Sequence, residues 1–199
     1  MRYILTIGLV VLFSGCISTK IPPKSEFRIN PNTKVKTYAS DGCKNKSLKV
    51  AQAFSSNLFL SQSMYYGLGS TKQYVYSKSL WSTTPNRAIT REFLTLIRDS
   101  KLFKSVQVSK SRSKNDFILE INIEDFMQYF SEDSQKSYAN VVVSVTLINS
   151  KTNSVFATQT FSKQVDVKAL NASGGIDGLN TALSAVLYQS NDWLAEVCK

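Results

Sequence analysis

Two stretches in the second half of the chain alternate in polarity, and with a third that returns beside them as a hairpin arm they limit the fold more than any other feature. Phe117, Leu119, Ile121 and Ile123 are interleaved with Glu120, Asn122 and Glu124. Val141, Val143, Val145 and Leu147 repeat the pattern within Tyr138 to Asn149, and Val155 to Val165 returns after the turn Ser150-Lys151-Thr152-Asn153. Successive side chains of a strand point to opposite faces, so a period of two gives a sheet with one apolar and one wet face. Such a sheet needs a cover, and two segments of helical period supply it. Thr84 and Pro85 suit a helix start, and Ile89, Phe93, Leu96 and Ile97 form one stripe that ends near Ser100. Gly174-Gly175 opens a second helix from about Ile176 to Val197, striped by Ile176, Leu179, Leu183, Val186, Leu194 and Val197. Shorter strands are expected at Val35 to Ala39, Leu48 to Phe54, Tyr74 to Tyr76 and Phe103 to Val108, with residues 55–72 polar and irregular. The expected fold is α+β, a mainly antiparallel sheet with two helices packed on one face.

The N-terminus reads as something other than fold. Arg2 precedes an apolar run from Tyr3 to Phe13, broken only by Thr6 and Gly8. That length suits the core of an export signal and falls well short of the ~20 residues that span a bilayer as a helix. The run ends in Leu12-Phe13-Ser14-Gly15-Cys16, which resembles the lipobox of bacterial lipoproteins, with Phe13 where Leu is commoner. Cleavage before Cys16 and lipidation of its thiol are therefore expected. The alternatives are an ordinary secretory signal and a buried apolar strand. The expected organisation is a signal peptide at 1–15, a lipidated cysteine and flexible tether at 16–33 marked by Pro22, Pro23 and Pro31, and a single α+β domain at 34–199.

Export constrains the chemistry. With Cys16 given to lipid, Cys43 and Cys198 are the remaining cysteines, an even pair in an oxidising space, and a disulfide between them is expected; two separate thiols are the alternative. Basic residues outnumber acidic ones 24 to 14. Export sets nucleic acid aside, which leaves contact with anionic phospholipid or an acidic partner, or simply a solvated basic surface. The chain has no histidine, so His-dependent triads and most zinc sites are excluded. Glu120 and Glu124 fall on the wet face of a strand, and Gly67-Leu68-Gly69 lacks the Lys-Ser or Lys-Thr of a phosphate loop. An enzyme is not expected, nor a metal or cofactor. The aromatic residues are more suggestive. Tyr65, Tyr66, Tyr74, Tyr76 and Trp81 crowd one segment, and Phe126, Tyr129 and Phe130 another. Exposed, they mark a contact surface; buried, they are core. The first group is the candidate partner-binding surface.

The middle and end of the chain resemble the ABC-type transport auxiliary lipoproteins, the lipoprotein partners of MCE phospholipid-transport systems. The residues that carry the resemblance are Tyr74-Val75-Tyr76, Leu80-Trp81 with Pro85, Leu102-Phe103 with Val106, and Asp116-Phe117-Ile118-Leu119-Glu120 leading to Phe126. The hairpin around Leu147 to Val155 and the last helix, with Leu179-Asn180, Ala182-Leu183 and Trp193-Leu194, complete it. The resemblance implies a non-enzymatic accessory subunit that docks a lipid conduit at a membrane, with an MCE-domain protein and an ABC permease as partners and phospholipid as cargo. Ile17 after Cys16 favours the outer membrane over the inner, on its periplasmic face. The alternatives are an interaction lipoprotein of another envelope machine, such as a cell-wall synthase activator or a lipopolysaccharide-assembly component, and a periplasmic lipid carrier.

Overall fold

A computed structural model describes residues 23–38 and 42–199. Its longest strands are the three expected in the second half of the chain. Strands β7 (Phe117–Phe130), β8 (Ser137–Asn149) and β9 (Ser154–Asp166) form an antiparallel meander. Ala139, Val141, Val143, Val145 and Leu147 of β8 are buried, while Ser144 and Thr146 on the other face bond to Thr160 and Thr158 of β9. In β7 the alternation slips once. Ile123 lies opposite Val143 and Asp125 opposite Val142, so Glu124 is the extra residue of a bulge. The slip lets Ile121 and Ile123 before it, and Phe126 and Gln128 after it, all face inward.

The shorter strands build the rest of the sheet. These are β1 (Ser25–Phe27), β2 (Ser47–Val50), β3 (Phe54–Ser55), β4 (Ser63–Leu68), β5 (Lys72–Trp81) and β6 (Ser105–Val108). The sheet is mixed, which corrects the expectation of a mainly antiparallel one. β2, β3 and β4 all join β7 in parallel, β6 joins β2 in parallel, and β1 joins β5 in parallel. Only β4–β5, β7–β8 and β8–β9 are antiparallel. The physical reason is β7's length. Its fourteen residues offer one edge long enough for β2 and β3 to pair near its start and β4 near its end.

Both helices cover the same face, as the alternation requires. In α1 (Pro85–Asp99) the stripe Ile89, Phe93, Leu96 and Ile97 is buried, and Pro85 sits at the first turn where no N–H is needed. In α2 (Ala172–Val197) Leu179, Leu183, Val186, Leu187 and Leu194 are buried, and the Asn171 side chain caps the start by accepting from Gly174 N–H at 3.0 Å.

Three further expected features differ. Residues 55–72, expected as irregular, contain β4 and the first residue of β5. Ser25–Phe27, placed in the tether from sequence, pairs with Ser79–Trp81 of β5, and Ile29 and Pro31 behind it are buried. Of the strand expected at Val35 to Ala39, the described residues 35–38, with Lys34 before them, instead run along α2 as a strap. Asn30 N–H donates to Asn180, Lys34 N–H to the Tyr188 hydroxyl, and Lys36 and Tyr38 both bond Asp192, at 2.8 and 2.6 Å. The strap leads towards the disulfide between Cys43 and Cys198.

Candidate functional site

The β4–β5 hairpin sets Tyr66 directly opposite Tyr74, and strand alternation puts Tyr76 on the same face. Tyr66 is the hub of an aromatic cluster. Its ring centroid lies 5.6 Å from Tyr74, 4.5 Å from Tyr76 and 5.5 Å from Phe130, the last edge-on. Phe130 arrives because β4 joins β7 in parallel with Leu68 opposite it. Leu68 and Leu170 complete a hollow of roughly 290 Å³, with Ser134 also lining it. The hollow lies on the helix side of the sheet but beyond the start of α2, whose first residue is Ala172, so no helix covers it. Tyr74 and Leu170 remain 44% and 43% exposed, enough to touch another body.

Beneath the rings is a polar floor. Tyr76 donates to Gln128 Oε1 at 2.7 Å, and Gln128 Nε2 donates to Ser137 Oγ at 2.8 Å. Gln128 is buried and faces the start of α2, so close to Gly175 that a Cβ there would stand 1.9 Å from Oε1. Burial, with the neighbouring Tyr66 second, pushes the Tyr76 phenol above its ordinary value. Its hydroxyl is a hydrogen-bond donor at neutral pH, and the bond to Gln128 holds the hollow's shape. On the opposite face Tyr129 and Tyr138 stack at 5.3 Å, and Tyr129 and Asn140 both donate to Asp125 Oδ2, at 2.9 and 2.7 Å. Gly67 is small because Tyr129 lies over it: a Cβ would meet the ring at 2.5 Å.

Of the five aromatic residues singled out from sequence, the structure brings together Tyr66, Tyr74 and Tyr76. Trp81 is corrected to core: it is 4% exposed and tilts against Phe126 at 5.7 Å. Tyr65 points to the face opposite Tyr66 and packs partly buried on the core. Sequence reasoning placed Phe130 in a separate group and passed over Leu68, Gln128 and Leu170. The Ser-Met-Tyr-Tyr-Gly-Leu run of β4 has no clean alternation, and the parallel pairing that unites it with β7 leaves no local signal. Cys16 lies outside the described residues. Cys43 and Cys198 are joined, and Gly42 leaves room for the Cys198 carbonyl, which a Cβ would approach to 1.8 Å. A second hollow, lined by Arg28, Asn30, Ser82, Thr83 and Arg91, is polar and basic. Among the described residues no three His, Cys, Asp or Glu side chains gather as metal ligands, and no helix is long and apolar enough to cross a membrane.

No protein-family model matches the chain, and no curated protein matches it. Solved structures do. A Xanthomonas campestris protein of the DUF330 family superposes with a TM-score of 0.76 at 16% identity, over 87% of this chain and 96% of its own. An uncharacterised protein gives 0.64 at 11% identity, over 88% and 99%. A hypothetical protein of Chlamydia trachomatis gives 0.50 at 10%, over 77% and 98%. None of these is described as an MCE-associated lipoprotein, so the family resemblance drawn from the sequence is corrected. Its motif residues, among them Leu102, Phe103, Phe117, Leu119 and Leu183, are buried and report packing rather than a shared task. What the chain shares with the DUF330 protein is its fold.

Proposed function

We propose that the chain is a lipid-anchored, non-enzymatic accessory subunit on the periplasmic face of a bacterial membrane, where it holds a larger assembly in place. The observation that carries this reading is the open hollow lined by Tyr66, Tyr76, Phe130 and Leu170, with Tyr74 stacked on Tyr66 beside it. Amphipathic rings at a surface supply contact area, and the half-buried Tyr76 hydroxyl is committed to Gln128, so the hollow is suited to hold a neighbour. A carrier of lipid needs an enclosed apolar cavity, whereas this hollow is open and small. A subunit of this kind stands between a membrane and an assembly and needs a surface for each. Among assemblies, an ABC-type lipid transporter with an MCE conduit comes first, because it needs a fixed protein at the membrane that does not itself carry the lipid. Ile17 after Cys16 favours the outer membrane.

Purification of the full-length protein from its own envelope, with mass spectrometry of what accompanies it, tests the reading. An MCE-domain protein and its permease are expected. A cell-wall synthase or a lipopolysaccharide-assembly protein in their place overturns the transport assembly.

A further inference from the structure

Strand β1 fixes the direction in which the chain leaves the domain. It runs parallel to β5, with Ser25 opposite Ser79 and Phe27 opposite Trp81. Followed backwards from Phe27 to Ser25, the chain moves along β5 towards Lys72, the end at which the hollow opens. Eight residues lie between Cys16 and Ser25, and the nine steps of chain reach at most about 30 Å. The stretch of β5 from Ser79 back to Tyr74 takes up roughly 17 Å of that at the usual strand rise. That reach is enough to bring a lipid on Cys16 to the end of the sheet beside the hollow. To lay the opposite end of the sheet on the membrane, the chain must double back at Ser25 along the domain's flank.

Three connections converge at this same end: the β4–β5 tip at 69–71, the β7–β8 loop at 131–136, and the β9–α2 loop at 167–171. Gly69 N–H donates to the Phe130 carbonyl, and Gly69, Ser70, Lys136, Tyr138 and Asp166 line a further shallow hollow there. Tyrosines with exposed apolar neighbours are what the headgroup layer of a bilayer accepts, since the ring enters and the hydroxyl stays wet. The charges at this end cancel, with Lys72, Lys136 and Lys168 against Glu132, Asp133 and Asp166.

We infer that the aromatic end of the sheet, with Tyr74 and Leu170 foremost, rests on the lipid surface to which Cys16 is attached, so that the membrane itself is what the hollow meets. The inference rests on the reading of Cys16 as a lipid anchor; it assigns the hollow to the membrane side of the subunit, so that the surface for the assembly lies elsewhere on the domain. The opposed charges make the contact apolar and nearly indifferent to salt.

The test uses the full-length lipoprotein in phosphatidylethanolamine–phosphatidylglycerol vesicles containing brominated acyl chains, after mass spectrometry of the Cys16 peptide. Leu170→Trp and, at a distant exposed position, Phe54→Trp report contact by fluorescence quenching; both native side chains are exposed, so both variants should fold. At the ~5–10 Å depth of interfacial side chains, Trp fluorescence from L170W should shift to the blue and lose about half its intensity, unchanged between low and high salt, while F54W stays unquenched. L170W unquenched in a lipidated protein, or quenched only as much as F54W, overturns the inference and leaves the anchor standing. So does L170W shielded only when a co-purified protein is present, because the hollow then belongs to that protein. An unmodified Cys16 overturns the anchor and the inference together.

Discussion

Two carboxylates of the β7 region respond to acid with opposite signs. Asp116 accepts from both the backbone N–H and the hydroxyl of Ser47, each at 2.9 Å, and these bonds hold its carboxyl below the ordinary 3.8. Its contribution to stability is present above that value and lost as pH falls through the lowered one. Asp125 is the reverse. Desolvation by burial raises its carboxyl above 3.8, against the hydrogen bonds from Asn140 and Tyr129. Its contribution is fullest below 3.8 and is lost as pH rises through the raised value. Urea midpoints measured from about pH 3 to 7 should show D116N flattening the acid limb, at a cost of roughly 1 kcal/mol or less at neutral pH for so exposed a group. D125N keeps an oxygen for both donors and should be more stable than the parent at neutral pH but not in acid. Gly175 makes a sharper residue-level case. G175A drives a methyl into Gln128 Oε1, the atom that receives the Tyr76 hydroxyl, and should cost about 2 kcal/mol in thermal unfolding while loosening the hollow.

At the scale of elements, legibility tracked the range of the signal. The helices and the β8–β9 hairpin were readable because their periodicity is local and their partners lie next to them in sequence. β4 was not, because its order comes from the parallel edge of β7 more than fifty residues away. Nor was β1, whose three residues have no pattern and take their conformation from β5. The Lys34 to Tyr38 segment misled in the other direction. Val35 lends it a strand-like look, but Lys36 and Tyr38 give their bonds to Asp192 on α2, and Val35 is left exposed. For the site, the tyrosine-rich segment was visible, while its division between faces depended on the hairpin register. The cap of α2 offers a direct check on local sequence control. Asn171→Ala removes the only side-chain bond at that helix start that the capping geometry supplies, and should lower stability by about 1 kcal/mol, measured by denaturant titration. If the loop carrying Leu170 depends on that cap, amide exchange across 167–171 should quicken in the same variant.

For the molecule as a whole, the disulfide closes a sequence separation of 155 residues, nearly the entire described chain. On the chain-entropy account so long a loop stabilises by up to about 5 kcal/mol, and C43A/C198A should lose a large part of that in urea titration; a loss below about 1 kcal/mol would contradict the account. If the chain is exported as proposed above, the pairing also has an order in time. The sequence holds three cysteines, and a chain threading outward from its N-terminus delivers Cys16 and Cys43 to the oxidising side well before Cys198. During that interval the sulfur nearest to Cys43 along the chain is that of Cys16, and a crosslink between them would strand the final helix without its partner. A thioether to diacylglycerol takes the Cys16 sulfur out of exchange chemistry. On the proposed reading of Cys16 as the anchor, acylation would then act as a proofreading step, leaving Cys43 one mate among the cysteines of this sequence and making it wait for the last residues to arrive.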